Sequence, residues 1–231
     1  MTTLPLPPPV PDVAPAFTDV VVDAFKHRGG PRFTMVLSGG PTARACYEHL
    51  AANSGAIEWP LVEVYMGDER VVPPNDEDAN QRLVREALLD RVGPLGSFTP
   101  MPTSGPVEEC VASYQRSIRA LIDGPGIDLI HLGFGPDGHT ASLFPGDPTL
   151  DAGPDQLVAA TQDPNGRNAH PRLTLTLPAI NAARCAVFTV SGPTKTEALA
   201  ALRRGDDLPA ARVIAERVVW LVDDAAFGNA P

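Results

Sequence analysis

The chain has 231 residues, 43% of them hydrophobic and 20% charged, an ordinary globular composition long enough to bury a substantial core without disulfide or metal staples. Its formal net charge of -10 argues against nucleic acid or an anionic membrane surface as a partner, because polyanions reward clustered Lys and Arg. The three cysteines, Cys46, Cys110 and Cys185, are widely spaced and form no C-x-x-C pair, so neither a disulfide framework nor a zinc site is indicated and a cytoplasmic location is expected.

The N-terminal stretch "MTTLPLPPPVPDVAPAFTDV" has no positive leading region, and its prolines break every apolar run. It reads as an extended strap over residues 1–16, not as a signal peptide or a membrane span. Beyond it, short Val-, Ile- and Leu-rich runs alternate with longer amphipathic segments, the pattern of βαβ units and a largely parallel sheet covered on both faces. The whole chain, 1–231, is expected to be one α/β domain. Strands are predicted near 33–37, 61–66, 127–133, 157–161, 173–176, 186–190 and 218–222, and helices near 42–53, 78–89, 107–122 and 194–203. In the third helix Val107, Tyr114, Ile118, Leu121 and Ile122 share a stripe, while Glu108, Glu109, Gln115, Arg116 and Arg119 lie mostly off it. Open parallel sheets bind ligands outside the carboxyl ends of their strands, so chemistry is sought in the loops there.

Four such loops stand out. In "MVLSGGPTARACYEHL", Ser38, Gly39 and Gly40 lead from a strand into a helix. The glycines allow close backbone approach, and the helix start favours a phosphate. The plainer alternative is a tight βα turn whose proline sets the first helical residue. In "VYMGDERVVPPNDEDANQRL", Asp68, Glu69 and Arg70 follow a strand. Three adjacent charges there are either a solvated, self-paired loop or a working site in which Arg70 clamps a phosphate or oxyanion. A helix follows, with Asp78 placed to cap it.

The third loop, "HLGFGPDGHTASLFPG", contains G-x-G-x-x-G after an apolar run. A dinucleotide fingerprint needs its third glycine at a helix start and an acid about 20 positions on at a strand end. Neither condition holds: Pro145 and Pro148 stop any helix, and Pro136 removes a backbone donor. What remains is a glycine bend presenting Asp137 and His139 where an α/β protein puts catalytic groups. Histidine can move a proton near neutral pH, and a neighbouring carboxylate can orient it. A loop histidine that only packs is the alternative. His131, inside the apolar run, reads as a satisfied core residue. His27, His49 and His170 have no comparable setting.

In the fourth loop, "HPRLTLTLPAINAARCAVFTVSGPTKTEAL", Arg172 enters a strand along which Thr174 and Thr176 alternate. A second strand ends in Ser191 and Gly192, with Lys195 on the first turn of a helix. A lysine at the positive end of a helix is electrostatically misplaced as decoration, although a solvated surface lysine is common. No G-x-S-x-G elbow is present, so acyl-enzyme chemistry is not suggested.

Together, "LSGG", "GDERVVPPNDEDAN", "GFGPDGHTASLFPG", "RLTLTLPAIN" and "SGPTK" resemble, in order and spacing, the motifs of the 6-phosphogluconolactonases. The resemblance spans nearly the whole chain from Phe33 to Val222. It implies a modified Rossmann-like fold, a three-layer α/β/α sandwich with a mostly parallel sheet, shared with glucosamine-6-phosphate deaminases and ribose-5-phosphate isomerases. It implies hydrolysis of 6-phospho-D-glucono-1,5-lactone with no metal or organic cofactor. The expected partner is a small phosphorylated sugar lactone, not nucleic acid or membrane, and the expected state is a monomer. Carried over, His139 is the base with Asp137 beside it. Ser38, Gly39, Gly40 and Thr42 line the phosphate loop, Arg70 and Lys195 supply positive charge, and Asp68 and Arg172 join the substrate-binding set. Two departures are Pro41, where many members carry Ser or Thr, and Phe134, often Met. The deaminases of this fold carry an acid after the Asp-Gly-His segment, which "TASLFPG" lacks. A non-catalytic sugar-phosphate sensor would carry a basic DNA-binding segment, and none precedes Phe33.

Overall fold

The computed structural model describes residues 6–53, 55–166 and 168–228. Nine strands are described, β1 (Phe33–Leu37), β2 (Val62–Met66), β3 (Asp68–Arg70), β4 (Ser97–Thr99), β5 (Ile127–Gly133), β6 (Val158–Thr161), β7 (Arg172–Leu175), β8 (Ala183–Val190) and β9 (Arg217–Val222). Six of them form a parallel sheet in the order β4-β2-β1-β5-β8-β9. Every residue of β1 is buried, as is β5 up to Leu132. Apolar side chains on both faces of a strand require cover on both faces, which the α-helices provide. In β2, by contrast, Glu63 and Tyr65 are only half-buried and alternate with buried Val62, Val64 and Met66, as suits a strand near the sheet's edge.

From β1 the chain moves outward to β2 and β4, and from β5 it moves the other way to β8 and β9. The reversal leaves a crevice outside the carboxyl ends of β1 and β5, where open α/β sheets bind their ligands. Two helix tyrosines fasten this rim. From α2 (Pro41–Ala52), Tyr47 Oη accepts from Ser38 N (3.0 Å) and donates to Ser38 O (2.9 Å). From α4 (Val107–Asp123), Tyr114 Oη does the same to Met66 N and O, each at 2.8 Å. Both rings are fully buried, and burying an aromatic side chain contributes roughly 1.5–3 kcal/mol.

Besides the short β3 and β4 and the short helices Leu177–Asn181 and Asp224–Phe227, which the sequence reading did not mark, three features differ from it. The strap expected over 1–16 gives way at Val13 to α1 (Val13–Lys26), capped by Asp12, whose side chain accepts from Ala14 N at 3.0 Å. Pro15 does not prevent this helix, because a first-turn N–H has no intrahelical partner to lose. Val13, Phe17, Val21 and Phe25, spaced by four, bury its inner face. Residues 1–5 lie outside the described set, while Val10 N donates to Val222 O at 2.8 Å, tying the strap to β9.

Second, β6 and β7 do not join the parallel sheet; with β3 they form a separate antiparallel one, in the order β3-β7-β6. The chain crosses between sheets at Gly67, whose N–H donates to Leu37 O and whose carbonyl accepts from Leu175 N, both at 2.8 Å. Third, Asp78 does not cap the next helix. α3 (Asn80–Val84), extended by a wider turn over Arg85–Leu89, begins two residues later, and Glu69 caps it from across the loop. The remaining helices, α5 (Leu177–Asn181), α6 (Thr196–Arg204) and α7 (Asp224–Phe227), follow β7, β8 and β9. Among the described residues no helix is long and apolar enough to cross a membrane.

Candidate active site

A cavity of about 310 Å³ opens at the crevice between β1 and β5, the size of a small-metabolite site. Ser38, Gly39, Gly40, Thr42, Asp68, Arg70, His139, Arg172 and Lys195 all line it. Of the ten candidate site residues, only Asp137 stands behind the lining, and it touches His139 directly. Asn80, Ala141, Thr189, Ser191 and Thr194 complete much of the wall.

His139 Nδ1 lies 2.6 Å from Asp137 Oδ1. A carboxylate can only accept, so it holds the proton on Nδ1 and leaves Nε2 as the basic nitrogen. Asp137 is itself oriented, its Oδ2 accepting from Asn165 Nδ2 at 2.8 Å. The imidazole packs on Phe144, with ring centroids 5.0 Å apart. The glycines of the bend explain this placement. A Cβ on Gly135 would collide with the His139 ring and come within 2.7 Å of Asp137 Oδ1. Gly138 has a φ of +81° and faces Leu208, a conformation costly for a residue bearing a side chain. Ala141 nevertheless takes a φ of +48°. That turn leaves Ser142 N donating to Thr174 Oγ1 (3.1 Å) and Ser142 Oγ donating to Asp68 Oδ2 (2.7 Å).

Three cations line the same cavity, Arg70, Arg172 and Lys195. Arg70 and Arg172 face one another across β3 and β7. Arg70 reaches Asp78 O through Nη1 at 2.5 Å, and Arg172 approaches Ser142 Oγ at 3.4 Å with its guanidinium 5.8 Å from the Phe144 ring centroid. The Nε of each is buried without a hydrogen-bond partner. Burial, ahead of the neighbouring charges, lowers the pKa of Arg172 from its usual value. Lys195 ends the turn Pro193–Lys195, one residue before α6 and not inside it. A chain of net charge -10 thus builds a locally positive pocket.

The first loop contributes backbone more than hydroxyls. Ser38 Oγ donates to His131 O at 2.7 Å, so its hydrogen is committed to joining β1 and β5. α2 has no side-chain cap, so the N–H groups of Thr42 and Ala43, which line the cavity, are the free donors of a helix start. Pro41 is the first helical residue, where a missing N–H is least costly.

Asp68 and Glu69 are buried, so the solvated-loop reading fails. Glu69 accepts from Arg70 N (2.8 Å), Asn80 N (2.7 Å) and Gln81 N (2.7 Å). Burial pushes its carboxyl up to about 7 against the pull of those three donors. Asn80, which the sequence reading passed over, donates from Nδ2 to Asp68 O (3.0 Å) and Oδ1 (3.2 Å). It closes the motif "GDERVVPPNDEDAN", and that position was its only signal. Ser142 and Asn165 were missed too, being small polar residues whose roles arise from contacts far along the chain. His131 is satisfied, as read: Nδ1 lies 2.8 Å from Tyr47 Oη and Nε2 2.8 Å from Thr189 Oγ1, and burial lowers its pKa to about 3. Among the described residues no group of three or more His, Cys, Asp or Glu is arranged to hold a metal ion.

Comparison with known proteins points the same way. The family model described as glucosamine-6-phosphate isomerases/6-phosphogluconolactonase matches residues 10–220. A 6-phosphogluconolactonase of Synechocystis is 38% identical over 224 residues, covering 92% of this chain and 90% of that one. A 6-phosphogluconolactonase of Mycobacterium tuberculosis is 35% identical over 211 residues, 85% of each chain. The crystal structure of a 6-phosphogluconolactonase from Thermotoga maritima superposes with a TM-score of 0.80 at 32% identity, covering 94% of this chain and 99% of that one.

Proposed function

This chain belongs to the glucosamine-6-phosphate isomerase/6-phosphogluconolactonase family, and we propose that it opens 6-phospho-D-glucono-1,5-lactone to 6-phospho-D-gluconate with His139 as the base. The observation that supports this assignment of roles is the meeting of two walls on one cavity, an imidazole oriented by a carboxylate and a cationic face of Arg70, Arg172 and Lys195 beside an uncapped helix start. The phosphate sits against that cationic face and the N–H groups of Thr42 and Ala43. With the phosphate fixed there, the lactone carbonyl lies toward His139.

His139 Nε2 takes a proton from water as the water oxygen bonds to the carbonyl carbon. Negative charge gathers on the carbonyl oxygen, where the nearby cations stabilise it. The tetrahedral adduct collapses, the bond from the former carbonyl carbon to the ring oxygen breaks, and the imidazolium returns its proton to that oxygen. Asp137 holds the ring and stabilises the imidazolium between the two transfers. A lactone opens slowly in water already, so a placed water, a base and an anion clamp suffice without a covalent nucleophile. Among the described lining residues Asp68 is the one carboxylate; held by Ser142 and Asn80, it accepts sugar hydroxyls. The absence of a carboxylate in residues 140–146 favours lactone hydrolysis over the amino-sugar chemistry of the same family.

The test is turnover of freshly generated 6-phosphogluconolactone against unphosphorylated gluconolactone, each corrected for spontaneous opening. The proposal expects strong preference for the phosphorylated substrate; equal rates on both, or none above background, overturn it.

A further inference from the structure

Two ionisable side chains have no part in the chemistry above, Tyr47 of α2 and His131 of β5, both wholly buried. They are joined to each other and, through Ser38 and Thr189, to the cavity lining. Ser38, at the end of β1, is held at its N–H and its carbonyl by Tyr47 Oη (3.0 and 2.9 Å). The same oxygen lies 2.8 Å from His131 Nδ1 on β5, and His131 Nε2 lies 2.8 Å from Thr189 Oγ1 on β8. Ser38 Oγ closes the circuit by donating to His131 O at 2.7 Å. Ser38 and Thr189 both line the cavity.

We propose that Tyr47 and His131 are positioning residues, which fix the Ser38-Gly39-Gly40 loop and the Thr189 hydroxyl relative to one another so that the phosphate and the sugar ring are held in one register. The proposal rests on the phosphate-binding role given above to this loop.

The proton count supports one arrangement. Tyr47 has one hydrogen, which goes to Ser38 O, and its oxygen accepts from Ser38 N–H. His131 Nδ1–H is therefore a second donor to that oxygen, and Nε2 is left to accept from the Thr189 hydroxyl. Thr189 then turns its hydrogen inward and leaves its oxygen lone pairs for a substrate hydroxyl. The histidine stays neutral in this state, since burial lowers its pKa to about 3, so the arrangement holds over the whole working pH range. Phe17 of α1 covers the histidine, its ring centroid 4.4 Å from the imidazole, and keeps water from replacing any of these bonds. A buried polar circuit satisfied at every member fixes geometry more tightly than apolar packing of equal volume.

Tyr47→Phe removes one oxygen and leaves the ring in place. The expected result is a KM for 6-phosphogluconolactone raised about tenfold with kcat within a factor of two, the scale of one hydrogen bond lost from the loop that holds the phosphate. The Kd for the product 6-phosphogluconate should rise in parallel. Thr189→Val, nearly isosteric, tests the other end without emptying the core and should raise the same two constants several-fold. Thr34→Val is the matched control. It deletes a buried hydroxyl that donates to Gly126 O at 2.6 Å at the far end of β1, and should lower the melting temperature without moving KM. A Tyr47→Phe or Thr189→Val protein that is destabilised like the control but keeps wild-type KM and Kd overturns the proposal. Should the wild type itself bind 6-phosphogluconate no better than gluconate, the phosphate reading fails instead, and the two failures are thereby distinguished.

Discussion

Gly135→Ala probes the placement of His139 through a single methyl group. Built on the backbone, that methyl would overlap the His139 imidazole and lie 2.7 Å from Asp137 Oδ1. Ordinary van der Waals separation requires the ring to swing away by about 1 Å or more, which also breaks the 2.6 Å bond to Asp137. Displacing a catalytic group by that distance costs on the order of 100-fold in rate, about 3 kcal/mol of barrier. The cationic wall is untouched, so kcat should fall on that scale while the Kd for 6-phosphogluconate stays within a factor of two. Gly133→Ala is the companion: nothing lies within 4 Å of its added methyl, and as a cavity-lining position it should affect KM if anything. Steady-state hydrolysis by both variants, corrected for spontaneous opening, is the assay. Wild-type kcat for Gly135→Ala would refute the claim that this glycine is required by the close approach of the imidazole.

Asp137→Asn removes the charge that stabilises the imidazolium, so kcat should drop at least tenfold with KM nearly unchanged; a change confined to KM would place Asp137 in binding instead. Arg70→Ala and Lys195→Ala should each reduce the preference for the phosphorylated over the unphosphorylated lactone about tenfold or more, and unchanged preference in both would remove them from the phosphate clamp. His131 makes a prediction about acid. Its pKa falls from 6.5 to about 3 on burial, so the unfolded chain binds the proton more readily, and the stability this represents is present above pH 6.5 and lost as pH falls toward 3. The slope is about 1.4 kcal/mol per pH unit. Urea midpoints between pH 6.5 and 5 should therefore fall less steeply for His131→Gln than for wild type, and equal slopes would contradict the buried neutral histidine. Glu69→Gln puts an amide where Oε2 accepts from Gln81 N, and should cost about 1–3 kcal/mol in urea unfolding; no loss would mean that the helix cap is dispensable.

Much of the parallel sheet could be read from apolar runs, because β1 and β5 are buried on both faces and their sequences have nowhere else to go. Of the antiparallel trio, β6 and β7 read as more of the same sheet and β3 read as a loop. Arg172–Leu175 and Val158–Thr161 carry the apolar pattern of any buried strand, and pairing direction leaves no mark in so short a run. α1 was hidden by prolines, since Pro15 reads as a breaker unless the helix start is already known. At the site, the glycine bend, the histidine and the cations were visible because each is chemically unusual where it stands. Glu69 was visible as a charge but not as a cap, for its partners Asn80 and Gln81 lie across a loop. Long-range partners of that kind, Ser142 with Asp68 and Tyr47 with Ser38 and His131 among them, are set by the fold and have no local sequence pattern.

Water activation by His139 is tested most directly by the hydrolysis of freshly generated 6-phosphogluconolactone by wild type and His139→Ala, with 6-phosphogluconate binding measured on both. A catalytic base at His139 requires a rate well above spontaneous opening for wild type, a loss of at least 100-fold in kcat for His139→Ala, and equal product affinity for the two proteins. Equal kcat with product binding intact would contradict it.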